Sequence, residues 1–124
     1  MTGSHGTMST QNERIAEVQA LFRAGNDRML EWEENREAAI HGERLTFLCE
    51  CGRRSCHDRV RLTADEYEAV RADASRFIVA HGHELPEAEA VVERHDQYFV
   101  VEKHQDVRDM VERMDLRRPG PADP

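Results

Sequence analysis

Apolar residues at Ile15, Val18, Phe22, Met29 and Trp32 fall on alternating three- and four-residue steps, the spacing of one helical face. Gly25 and Arg36 stand where that stripe would continue, so the pattern predicts a helix over 12–40 that is weakest at its middle and its end. Gly25-Asn26 is the expected point of bending or splitting, since glycine costs about 1 kcal/mol inside a helix. Gly42 closes the segment, and the period then changes. "LTFLC" (45–49) reads as a strand and "RVRL" (59–62) as its return, with a glycine-containing turn at 52–56 between them.

Thr63 opens "TADE", a capping-box pattern with Glu66 three residues on, and predicts a helix to about Ala74 with Tyr67 and Val70 facing inward. "RFIVA" (76–80) is a strand and "HGHELPEAE" a loop. Two further strands follow at about 90–94 and 97–102, turning at His95-Asp96. Val107, Met110, Val111 and Met114 then mark one face of a last helix over about 105–115.

The sum is an α+β domain: a mostly antiparallel sheet, packed helices and a long N-terminal helix. Its expected organisation is a flexible leader (1–11), an N-terminal helical segment (12–42), a metal-binding α+β core (43–116) and a flexible tail (117–124). The stripe on the long helix suits docking on its own sheet, the simpler reading, or pairing with a twin or another protein.

At 124 residues the chain is one domain with a modest core, for which an added staple is useful. Its formal charge of −8 repels phosphate backbones, which opposes nucleic acid as a partner. Only the cluster Arg53, Arg54, Arg59 and Arg61 runs the other way. No apolar run has the length of a membrane helix, and the first ten residues lack the apolar core of a secretory signal. The expectation is a cytoplasmic protein without a membrane partner. In a reducing compartment, clustered cysteines point to metal or redox chemistry rather than to disulfides.

All three cysteines lie in "CECGRRSC", residues 49–56. Cys49 and Cys51 are two apart near the end of a predicted strand, so their side chains share a face. Gly52 permits a reversal that brings Cys56 back. Three thiolates so placed suit a structural zinc ion, which takes four tetrahedral N/S ligands. His57 adjoins Cys56 too closely to turn back onto the same ion. His81 and His83 flank Gly82 in the loop after the third strand, and His83 is preferred because Glu84 or a backbone carbonyl can hold its second ring nitrogen. The expected ligands are therefore Cys49, Cys51, Cys56 and His83, with Arg53 and Arg54 offsetting the sulfur charge. The competing readings of the window are a redox thiol pair or idle cysteines. A catalytic metal would need an open position, with Glu50 or Glu84 as base.

The stretch from "FLCECGRRSC" through "LTADEYEAVR", "RF", "GHE" and "VVERHDQYFVVEK" resembles an uncharacterised family of small actinobacterial proteins over about 47–103. The family pattern implies weight on Cys49, Cys51, Cys56 and His83, and favours His83 over His81. It implies no activity. This chain carries "GRRSC" where that family resembles an acidic "GDPDC", which weakens the role given to Arg53 and Arg54. The functional expectation is a non-enzymatic, zinc-stabilised interaction or regulatory module that binds a protein partner, or itself, through its N-terminal helix and sheet surface. The alternatives are a transcription-associated nucleic-acid-binding zinc protein and a redox-sensitive zinc–thiolate switch. A small metal-dependent hydrolase comes last.

Overall fold

The computed structural model describes residues 3–117, with side chains from Thr10 onward. The fold is α+β, with the element order α1 (Gly3–Met29), α2 (Glu33–Ile40), β1 (Arg44–Leu48), β2 (Arg59–Thr63), α3 (Ala64–Arg71), β3 (Arg76–Val79), β4 (Glu89–Arg94), β5 (Phe99–Lys103) and α4 (Gln105–Arg113). All pairing is antiparallel, in two sheets rather than one: β1 with β2, and a three-stranded sheet ordered β3-β5-β4.

The three-stranded sheet is covered on both sides, so its strands are apolar without strict alternation. Ile78 and Val100 face a cluster with Leu45, Phe47, Val60, Leu62, Tyr67 and Val70. Phe77, Val79 and Val101 face another that holds Ala16, Cys49, Cys51, Val107 and Val111. Helix α3 starts as its sequence dictates. Thr63 Oγ1 accepts from the Glu66 amide (3.1 Å), and the Glu66 carboxylate accepts from the Thr63 amide (2.8 Å). A cap of this kind stabilises a helix by about 1 kcal/mol.

The N-terminal segment departs from expectation in three ways. It is helical from Gly3, inside the stretch assigned to a leader. It also passes unbroken through Gly25-Asn26 and stops instead at Met29. There the amide of Trp32 bonds back to Met29 O (3.1 Å), and Asn35 Nδ2 caps the same carbonyl (2.7 Å) before α2 begins. The third difference is the buried face itself. Trp32 is 56% exposed, whereas Gln19, Arg23 and Asn26 are buried along with Ala16 and Ala20. The helix does dock within the chain, but with a polar face, because its neighbours are backbone ends that need hydrogen bonds.

Arg23 shows how this works. Its guanidinium donates to Ala74 O (2.6 Å) and Val111 O (3.0 Å) and lies over the Phe77 ring at 4.4 Å. Further along, Asp27 accepts from Tyr67 Oη and from Arg71, which also grips Asp115. Arg117 donates to Glu68 through both terminal nitrogens, so the first residue of the expected tail is anchored. The rest of that tail lies outside the described residues.

Candidate metal centre

Strand β1 ends at Leu48, one residue earlier than its apolar run suggests, and Cys49 continues its line by donating its amide to Asp58 O (3.1 Å). The next residue bridges two elements. Glu50 N donates to Ile78 O (2.8 Å) on β3, while Ile78 N donates to Glu50 Oε1 (3.0 Å). The C-E-C segment is thereby laid along β3, which places Cys49 and Cys51 together in the core. Gly52 then takes φ +88°, a left-handed backbone open to glycine, and turns the chain so that Cys56 returns.

His83 arrives from the loop after β3, its amide bonded to Ala80 O (3.0 Å). Its Nδ1 lies 3.5 Å from Cys49 Sγ and 3.6 Å from Cys56 Sγ. The three sulfurs and one ring nitrogen of His83 all lie within 4.8 Å of one another, so Cys49, Cys51, Cys56 and His83 can hold a metal ion. The arrangement joins the β1–β2 turn to the β3–β4 loop.

The sulfurs are prepared for negative charge by main-chain donors. Ala80 N donates to Cys49 Sγ (3.2 Å), and the backbones of Arg53 and Asp58 favour the ionised forms of Cys51 and Cys56. Among the thiols, Cys51 is held well below its ordinary range, chiefly because the Cys49 thiol donates to it; Cys49 is pushed up by the same bond and by burial.

Three expectations about the surroundings change. The second ring nitrogen of His83 is held by Asp58, not Glu84: Nε2 lies 3.0 Å from Asp58 Oδ2. Asp58 lies two residues beyond the last cysteine, in "CHD", and that adjacency was its only signal in the chain. Arg53 acts through its backbone, and the side chains of Arg53 and Arg54 are exposed. Glu50 is buried with its carboxylate committed to Asn26 Nδ2 (2.7 Å) and the Ile78 amide (3.0 Å). Burial pushes its carboxyl up to about 7, against the pull of those two donors.

His81 takes no part. It lies on the Phe99 ring at 4.4 Å, and its Nε2 meets His95 O at 2.7 Å. His57 is exposed and outside the cluster. Arg59 and Arg61 share the outward face of the β1–β2 hairpin with Arg44, on the alternate positions that the strand pattern leaves exposed. Among the described residues no helix is long and apolar enough to cross a membrane. Comparison with protein-family models, curated proteins and solved structures finds no match to this chain.

Proposed function

We propose that the chain is a non-catalytic interaction module whose core is stapled by one structural zinc ion on Cys49, Cys51, Cys56 and His83. The observation that carries this reading is the spacing of the donors. For zinc–sulfur and zinc–nitrogen bonds of about 2.3 and 2.05 Å, a tetrahedron places sulfur and nitrogen about 3.6 Å apart. The sulfur–Nδ1 separations are 3.5 and 3.6 Å. Three thiolates and an imidazole also suit zinc by softness, and complete its four-coordinate shell without an open position. Asp58 on Nε2 would fix the tautomer that presents Nδ1 to the ion.

A zinc ion there would tie segments 34 residues apart, from Cys49 to His83, in a domain with a modest core. The interaction surface we assign is the groove between α1 and the end of α4, with a cavity of ≈ 400 Å³. Leu21, Ala24, Met114 and Leu116 line it, and Glu17 and Arg54 stand at it with opposite charges. Leu21 and Leu116 are 62% and 79% exposed, more than isolated surface leucines require. An amphipathic helix of another protein fits such a groove between helical walls. The net charge of −8 works against a second copy of this chain as occupant.

The test is elemental analysis of the purified protein together with its Cys56→Ser and His83→Ala variants. One zinc per chain, lost in both variants, is the expected result. A metal-free, normally folded native protein would remove the reading. Removing residues 1–40 is not a clean test of the surface, because Gln19, Arg23 and Asn26 are core residues. Leu21→Glu and Leu116→Glu change only the groove, and a dimer that those changes abolish in sedimentation would reassign it to a second copy.

A further inference from the structure

The metal loop and the N-terminal half of α1 are in direct contact. A Cβ at Gly52 would stand 2.6 Å from Ile15 Cγ2, 3.3 Å from Gln19 Cγ and 3.3 Å from Ile15 O, so α1 rests on the loop backbone itself. Gln19 Nε2 donates to Glu50 O (3.1 Å), between the first two cysteines. Ala16 packs in the same apolar cluster as Cys49 and Cys51. The other half of the helix has further anchors of its own, Arg23 to Ala74 and Val111 and Asp27 to Tyr67 and Arg71, beside the bonds of Asn26 to Leu48 and the Glu50 carboxylate.

The two halves also differ in how well their polar groups are satisfied. Gln19 Oε1 is buried without a donor. Asp27, by contrast, takes bonds from both Tyr67 and Arg71. The half that leans on the loop is the half with an uncompensated cost.

We propose that the metal loop is a peroxide-responsive latch for residues 12–20 of α1, an inference that rests on the zinc reading above. Cys56 is the entry point, being partly exposed where Cys49 and Cys51 are 1% and 0% exposed. Its thiolate attacks one oxygen of hydrogen peroxide, forming a sulfenic acid and releasing hydroxide. The Cys51 thiolate then attacks that sulfur, forming the S–S bond and expelling a second hydroxide. Two protons from solvent convert the hydroxides to water. The two sulfurs together lose two electrons and the peroxide gains them, while zinc, deprived of two ligands, leaves as the hydrated ion.

Sulfurs spread over up to 4.8 Å must close to about 2.05 Å for this bond. Cys51 and Cys56 bracket Gly52, so closing the bond redraws the turn on which Ile15 and Gln19 rest. Residues 12–20 then lose the loop beneath Ile15 and Gln19 and keep only the bonds of Gln19 to Glu89 and Asn12 to Asp106, while Arg23 and Asp27 keep the remainder of α1 in place. The released segment would uncover Phe77, Val79 and Val107, the partners of Ala16 in the apolar cluster.

The experiment is hydrogen exchange on the full zinc-loaded chain, with and without hydrogen peroxide, while a chromophoric chelator reports released zinc. The expected result is zinc release with protection over 12–20 falling about tenfold or more, and with 23–29 and 64–71 unchanged. Reductant plus zinc restores the original pattern. Zinc release with 12–20 still protected overturns the latch and leaves the metal centre standing. Loss of protection along the whole chain also overturns it, because zinc would then hold the fold rather than one segment. Retention of zinc under peroxide overturns the redox trigger. A protein that carries no zinc at purification fails the earlier reading instead, and this one with it.

Discussion

Asp58 Oδ2 lies 3.0 Å from Nε2 of His83, on a ring whose Nδ1 faces Cys49 and Cys56. A carboxylate in that place fixes the ring's orientation and which nitrogen is free to bind a metal. Asp58→Ala should therefore weaken zinc binding about 10- to 100-fold in a competition titration against a chelator. The fold should survive, since the Asp58 side chain is 59% exposed and the bond from Cys49 N is to its main-chain oxygen. His81→Ala, two residues from His83, should leave the affinity unchanged. Equal losses in the two variants would show that the loop, not the carboxylate, sets the affinity.

Gly52→Ala and Gly42→Ala both place a side chain on a left-handed backbone, at φ +88° and +70°. That conformation alone costs about 1–2 kcal/mol. Nothing lies within 4 Å of a Cβ at Gly42, whereas at Gly52 it meets Ile15 at 2.6 Å. Urea denaturation of the two variants should therefore show Gly52→Ala as the more destabilised, by the cost of moving α1 off the loop. Equal midpoints would mean that Ile15 yields without consequence.

How far the chain announces its own structure differs by residue. The cysteine window was legible because its geometry is local: two-residue parity sets Cys49 beside Cys51, and Gly52 permits the return of Cys56. His83 was legible as a donor of the right type after a strand. Its partner Asp58 was not, because a surface aspartate looks the same whether or not a ring nitrogen comes to it. The docking face of α1 was legible only in part, through Ile15, Val18 and Met29 but not its polar residues. Hydropathy assigns Gln19, Arg23 and Asn26 to solvent, yet their partners are main-chain groups at Glu50, Ala74, Val111 and Leu48 together with the buried carboxylates of Glu89 and Glu50, which no periodicity encodes. The division into two sheets escaped as well, since strand patterns give faces but not neighbours.

Arg71 donates to Asp27 at 2.9 Å through Nε and through one terminal nitrogen, and to Asp115 at 2.6 and 3.1 Å. Its side chain is 2% exposed, so Arg71→Met would leave Asp115 without its cation and Asp27 with Arg117 alone, at 3.4 Å. Breaking a buried pair in this way costs about 3–5 kcal/mol. The variant should also change the acid limb of stability. Burial pushes the Asp115 carboxyl up, but the bonds from Arg71 and the Arg117 amide outweigh it and leave it below its ordinary range. A depressed carboxyl contributes stability that is complete above its unfolded value, about 4, and is lost as pH falls through the folded value. The difference between wild type and Arg71→Met should therefore be largest near neutrality and shrink below pH of about 4. A difference constant with pH would place the cost in packing alone.

Lys103 is the only lysine among the 17 basic residues, and it is 1% exposed. Its ammonium donates to Glu89 Oε1 (3.1 Å), which also accepts from Gln19 Nε2, while Glu89 Oε2 takes the Leu85 amide. The pair thus ties β5 to the start of β4 and to α1, with both side chains fully buried. An amine-directed acylating reagent can reach such a nitrogen only when the sheet opens. In the folded protein Lys103 should therefore react at least about a thousandfold more slowly than in denaturant. Its labelling rate should rise with urea in step with global unfolding, which mass spectrometry of the Lys103 peptide reads directly. Rapid labelling without denaturant would mean that the β4–β5 edge opens locally, and that the buried pair does not close this end of the sheet.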